Sequence, residues 1–97
     1  MICSFADQGS EDIFNGRSSK AARKTCPNVL WAVARRKFDA VHYAARLDDL
    51  RAPPGNRLEQ LKGGRKGEHS IRINDQYRIC FRWTNAGPEN VGIEDYH

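Results

Sequence analysis

A chain of 97 residues, 39% hydrophobic and 29% charged, is expected to form one domain over residues 1–97 around one modest core. Its 16 Lys and Arg against 12 Asp and Glu leave a net charge of +4, which permits an anionic partner without demanding one. No apolar run approaches the ~20 residues of a membrane span, "MICSFADQGSEDIF" lacks the basic head and apolar stretch of a secretory signal, and Cys3, Cys26 and Cys80 match no zinc spacing, so they read as reduced, packed thiols of a cytoplasmic protein.

Met1 to Phe5 reads as a short opening strand. "DQGSEDIF", residues 7–14, predicts one or two helical turns stopped by Asn15-Gly16. Ser18-Ser19 is placed to cap a short basic helix, "KAARKT", that Pro27 interrupts. A third helix is predicted from Pro27, because Leu30, Val33, Ala34, Phe38 and Val41 recur at three- and four-residue steps and define a core stripe. It should fade between Ala44 and Leu47, with His42 a partly exposed residue near its end.

Pro53-Pro54-Gly55 forbids a helix in the segment that follows, Arg57 to Leu61 is a candidate short strand, and Lys62 to Gly67 is a glycine-punctuated basic loop. Residues 68–73 and 77–83 then read as a hairpin. A three-residue loop at Asn74-Asp75-Gln76 pairs Ile73 with Tyr77, Ile71 with Ile79 and His69 with Phe81, which gathers the bulky apolar side chains on one face. His69 on that face should be packed and hydrogen-bonded. The other face carries Glu68, Ser70 and Arg72 opposite Arg82, Cys80 and Arg78. Arg72 and Arg78 directly opposed are unfavourable unless an anion lies between them, either an internal carboxylate or a bound phosphate. "TNAGPEN" reads as a turn and "VGIEDYH" as the last strand, with Val91 and Ile93 facing the core, and Glu94 and Tyr96 joining the arginines. Strict alternation puts Asp95 on the core side. The fold class is α+β: a mostly antiparallel twisted sheet, N-terminal helices packed on one face, and the opposite face open and polar.

That polar face is a set of parts for RNA. Arg72, Arg78 and Arg82, with Lys62, Arg65 and Lys66 on the adjoining loop, supply cations for phosphates. Tyr96 is able to stack on an unpaired base. Cleavage needs a base for the ribose 2′-hydroxyl, cations for the phosphorane and an acid for the departing 5′-oxygen. His97 can do either proton task near neutral pH, and the terminal carboxylate it carries favours its imidazolium. Asp95 is placed to orient it. The isolated Asp48-Asp49 pair reads as a turn, so the reading calls for neither metal nor other cofactor.

"RLEQLKGGRKGEHSIRINDQYRICFRW", the terminal "VGIEDYH", and also "SFADQGSEDIFNG" and "LDDLRAPPGNRLE" make the chain resemble the HigB/RelE family of bacterial toxins. The resemblance implies a compact RelE-like toxin that cuts messenger RNA in the ribosomal A site. It also implies restraint by a HigA-like helix-turn-helix antitoxin, with operator DNA bound only through the antitoxin complex. Carried over by position, Lys62 and Arg65 match the family's basic loop, Arg78 the arginine at the scissile phosphate, and Asp95, Tyr96 and His97 the terminal acid–base and stacking group. Two positions depart from the family's pattern: Gly64 replaces the acidic residue that many relatives have before the loop arginine, and Glu59 stands where some relatives carry a supporting histidine. The alternatives are a ParE-like inhibitor of DNA gyrase, which has no need for Lys62, Arg78 and His97 together, and a degenerate toxin kept as a binding module.

Overall fold

The computed structural model describes residues 1–65 and 67–95. Helices α1 (Gln8–Phe14), α2 (Lys20–Thr25) and α3 (Trp31–Tyr43) precede strands β1 (Glu59–Gln60), β2 (Glu68–Arg72), β3 (Tyr77–Thr84) and β4 (Gly87–Asp95). The strands form one antiparallel sheet in the order β1-β2-β3-β4. The fold is therefore α+β, as the hydrophobic periodicities imply. No helix among the described residues is long and apolar enough to cross a membrane.

Local chemistry accounts for the helix ends. The Asp7 carboxylate accepts the Ser10 amide at 2.7 Å and starts α1, and Ser19 Oγ accepts the Ala22 amide at 3.0 Å and starts α2. Gly16, at φ +78°, follows the end of α1. The two helices cross closely at Gly9, where a Cβ would lie 1.9 Å from Thr25 Oγ1 and 2.5 Å from the Ala21 carbonyl. The third helix begins later than the proline implies. Pro27 is extended (φ −57°, ψ 140°), one 3₁₀ turn follows at Asn28–Leu30, and α3 starts at Trp31. Its buried stripe is Ala34, Phe38 and Val41, packed with Ile13 of α1 on the Ile71, Ile79, Phe81 and Val91 face of the sheet. His42 is half-buried; its Nδ1 accepts the Ile2 amide at 3.1 Å.

The hairpin register is the expected one: Ile71 opposes Ile79, His69 opposes Phe81, and the Ile73 amide donates to the Tyr77 carbonyl at 2.9 Å. Four other expectations need correction. The opening segment forms only a single parallel bridge, Phe5 to Val91. A bulge in β4, with Asn90 at φ +52°, breaks that edge, and the Asn90 amide turns to Ser4 Oγ at 2.9 Å. Cys3 is consequently exposed rather than packed, whereas Cys26 and Cys80 are buried. The turn after β3 is narrower than "TNAGPEN": β4 already begins at Gly87 and contains Pro88, which an edge strand tolerates because its outer side needs no regular ladder. Finally, the strand expected over Arg57 to Leu61 shrinks to Glu59–Gln60, because Arg57 adopts the left-handed conformation (φ 47°).

The loop between α3 and β1 is held from inside. Asn56 is fully buried; its Nδ2 donates to the Leu50 and Ala52 carbonyls, each at 3.2 Å, while Lys37 Nζ donates to its Oδ1. One side chain thus satisfies the polar groups of a segment with no ladder of its own.

Candidate RNA-cleavage site

Alternation places Ser70 and Arg72 of β2, Arg78, Cys80 and Arg82 of β3, and Glu94 of β4 on the sheet face away from α3. This face is less open than the sequence suggests. Ser70 is fully buried, Cys80 is 3% exposed and Arg78 only 7%. Among the described residues the covering comes from segments at its rim: the Arg57 turn and β1 on one side, and the Gly63–Arg65 3₁₀ turn above.

Arg78 is clamped at the floor. Its Nε donates to Ser70 Oγ at 2.8 Å and its Nη2 to the Arg57 carbonyl at 2.7 Å; Nη1 lies 3.8 Å from Glu59 Oε1. The left-handed turn at Arg57 presents that carbonyl. A buried guanidinium held by a hydroxyl and a carbonyl, with a carboxylate at its edge, has its planar fork fixed in orientation. Glu59, with a half-exposed side chain, leads along the edge strand into an open cleft of about 370 Å³ lined by Gln60, Leu61, Lys62 and Gly63. Lys62 is exposed there.

The other expected cations divide. Arg72 stands opposite Arg78, as anticipated, and the anion answering it is internal: its guanidinium pairs with Asp75 in the hairpin turn. Arg82 lies 3.9 Å from Glu68 and 4.0 Å from Glu89. Arg65 donates to both oxygens of Glu94, at 2.8 and 2.5 Å, and to Glu68 Oε1 at 2.9 and 3.3 Å. Those bonds raise the Arg65 pKa further and hold the Glu94 carboxyl below the usual carboxylate range. Cys80 lies under this pair, and burial pushes its thiol up to about 12.

Asp95 pairs with Tyr77 on the core-side face, as alternation requires, but at the rim, where it is exposed and accepts Gln76 Nε2 at 3.2 Å. The expected roles of Lys66, Tyr96 and His97 fall on positions outside the described residues. His69, opposite Phe81, departs from its expected satisfaction. Among the described residues its buried Nδ1 meets no partner in full hydrogen-bonding geometry, and desolvation lowers its pKa, offset in part by the Gly67 backbone.

Sequence reasoning missed the residues that orient Arg78. Ser70 was legible, since the hairpin register puts it on the arginine face. The Arg57 carbonyl was not, because no residue type marks a backbone acceptor.

The model of the HigB-like toxin family, whose members are RelE-like toxins of type II toxin–antitoxin systems, matches residues 3–97. The chain belongs to that family. It is 33% identical to Toxin HigB-1 of Vibrio cholerae serotype O1 over 97 residues, covering 99% of this chain and 98% of the relative. An uncharacterized protein of Haemophilus influenzae is 34% identical over 70 residues, 72% of this chain and 69% of that protein. The protein is thus a type II toxin, and such a toxin implies an antitoxin partner.

Proposed function

We propose that this toxin is a ribosome-dependent endoribonuclease that cleaves messenger RNA in the A site by attack of a ribose 2′-hydroxyl on the adjacent phosphate. The observation that carries the reading is Arg78: a buried, oriented guanidinium at the floor of the polar face, joined through Glu59 to the edge strand that continues into exposed Lys62. An oriented cation acts where charge develops. The phosphorane gains negative charge in the transition state, and a guanidinium whose reorganisation is already complete stabilises it more than one that must be ordered during the reaction.

In this reading Arg78 and Lys62 bind the scissile phosphate. A base takes the 2′-hydroxyl proton, the 2′-oxygen bonds to phosphorus, and the bond to the departing 5′-oxygen breaks as an acid protonates it, leaving a 2′,3′-cyclic phosphate. Asp95, Tyr96 and His97 supply the acid–base and base-stacking groups, and Arg72, Arg82 and Lys66 contribute to the field along the RNA backbone. The codon selected lies in the ribosome, in the cytoplasm, and the antitoxin is of the HigA-like helix-turn-helix kind. Induction of the protein alone in bacteria tests the reading. New mRNA 5′ ends within translated codons are expected; intact transcripts with altered DNA supercoiling would favour a gyrase inhibitor, and binding without either effect a degenerate toxin.

A further inference from the structure

The basic loop between β1 and β2 is bracketed by two glycines in left-handed conformations, Gly63 at φ 73° and Gly67 at φ 86°. A Cβ at Gly67 would lie 2.9 Å from Arg82 Nη1, so the loop passes close over the sheet at its return. Between the glycines, Arg65 crosses the polar face from β2 to β4 and spends its donors on two carboxylates. Nε and Nη2 go to Glu68, and Nη1 and Nη2 go to Glu94. A guanidinium has five N–H groups. Four of those donor directions end on Glu68 and Glu94, so little of this arginine's hydrogen-bonding capacity is left for a phosphate.

Glu94 answers no other cation in the hydrogen bonds of the described residues, and register places it in line with Arg78 and Arg72. A phosphate-binding face that retains such a carboxylate gains nothing for RNA affinity from it. Its geometry instead suits a latch: a bidentate pair fixes both the distance and the plane of a long side chain. The loop that this pair holds down begins at Lys62, beside the cleft.

Building on the nuclease reading, we propose that Arg65 is a positioning residue and not an RNA contact: with Glu94 and Glu68 it latches the loop to the sheet and so sets where Lys62 stands relative to the scissile phosphate. Arg65 then acts on the rate through Lys62. A phosphate-binding arginine and a latching arginine respond oppositely to removal of the carboxylate. Loss of Glu94 frees the former for RNA and releases the latter from its task.

The test measures single-turnover cleavage on programmed ribosomes for wild type, Arg65→Gln, Glu94→Gln, the double variant, Lys62→Ala and Lys62→Ala/Arg65→Gln, alongside hydrogen exchange of the loop amides. The latch requires Arg65→Gln and Glu94→Gln each to lower kcat by about tenfold with KM within about threefold, and the double variant to lose no more than either. Arg65→Gln should be silent in the Lys62→Ala background. Amides of the loop should exchange faster in Glu94→Gln while those of α3 keep their protection, which shows that the fold is retained. A full rate for Glu94→Gln beside a damaged Arg65→Gln, or an additive loss with Lys62→Ala, would overturn the proposal and return Arg65 to the RNA. Absence of cleavage by the wild type would instead overturn the nuclease reading and the positioning role with it.

Discussion

Truncating Arg78 to alanine should damage the fold as well as the activity. On an open sheet face the change would be nearly neutral to stability. Here the side chain is 7% exposed and supplies the hydrogen for Ser70 Oγ, which is itself fully buried, and for the Arg57 carbonyl. Each lost bond to a charged donor is worth about 1.5–3 kcal/mol, and each acceptor left buried without a partner adds to the cost. Loss of the packed methylenes contributes about 0.8 kcal/mol apiece. Against these stands the desolvation of the guanidinium, which the alanine relieves and which amounts to several kcal/mol. The net expectation is a destabilisation of about 2–4 kcal/mol, corresponding to a fall in Tm of roughly 10–25 °C for a domain of this size. Urea and thermal unfolding followed by circular dichroism measure it. A Tm within about 2 °C of wild type would refute the inference that Arg78 is clamped and restore the open face. Glu59→Gln is the control: its side chain is half-exposed and 3.8 Å from Arg78, so its removal should cost under ~1 kcal/mol.

Asn56→Ala removes the donor for two carbonyls and the acceptor for Lys37, and should destabilise the chain by about 2–4 kcal/mol in the same unfolding assay. Gly9→Ala forces a methyl into Thr25 Oγ1 and the Ala21 carbonyl; a loss of about 1–3 kcal/mol is expected, and an unchanged Tm would show that α1 and α2 can part freely. His69 has a pKa below its ordinary 6.5 because burial disfavours the imidazolium. The unfolded chain therefore takes the proton first, and stability from this group should be intact above pH 6.5 and fall as the pH drops below it; His69→Phe should flatten that slope. Glu94 is likewise held below 4.5 by Arg65, so its contribution is present above pH 4.5 and disappears on further acidification, a loss that Glu94→Gln should abolish.

Much of this architecture was legible wherever a local rule and the hydrophobic pattern agreed. Ser19 announced one helix start and Asn15-Gly16 one helix stop, and the demand that Ile71 and Ile79 share a face settled the hairpin register. The same register gave the membership of the arginine face. Burial of that face was not legible, because it depends on segments far away in the chain. The Arg57 turn and the Gly63–Arg65 turn fold over from the rim, and no periodicity announces them. The partners of the cations were hidden for a related reason. Charge counting ranks Arg65, Arg72 and Arg78 alike, whereas the structure hydrogen-bonds Arg65 and Arg72 to carboxylates and holds Arg78 by a hydroxyl and a carbonyl, with Glu59 farther off at 3.8 Å. The breakdown of the opening strand had no signal either, since the bulge at Asn90 arises from how β4 meets β3.

The proposed cleavage depends on cations arranged around one phosphodiester, and Lys62 is an exposed cation whose removal leaves the core untouched. Purified protein should be added to ribosomes stalled on a defined message, with the 5′ ends mapped for wild type and Lys62→Ala. Wild type is expected to cut within the A-site codon and to leave free message intact, and the exposed Lys62→Ala variant to keep the wild-type Tm while losing about 10²-fold or more in rate. Equal cleavage by a fully folded Lys62→Ala protein, or no cut on the ribosome by wild type, would contradict it.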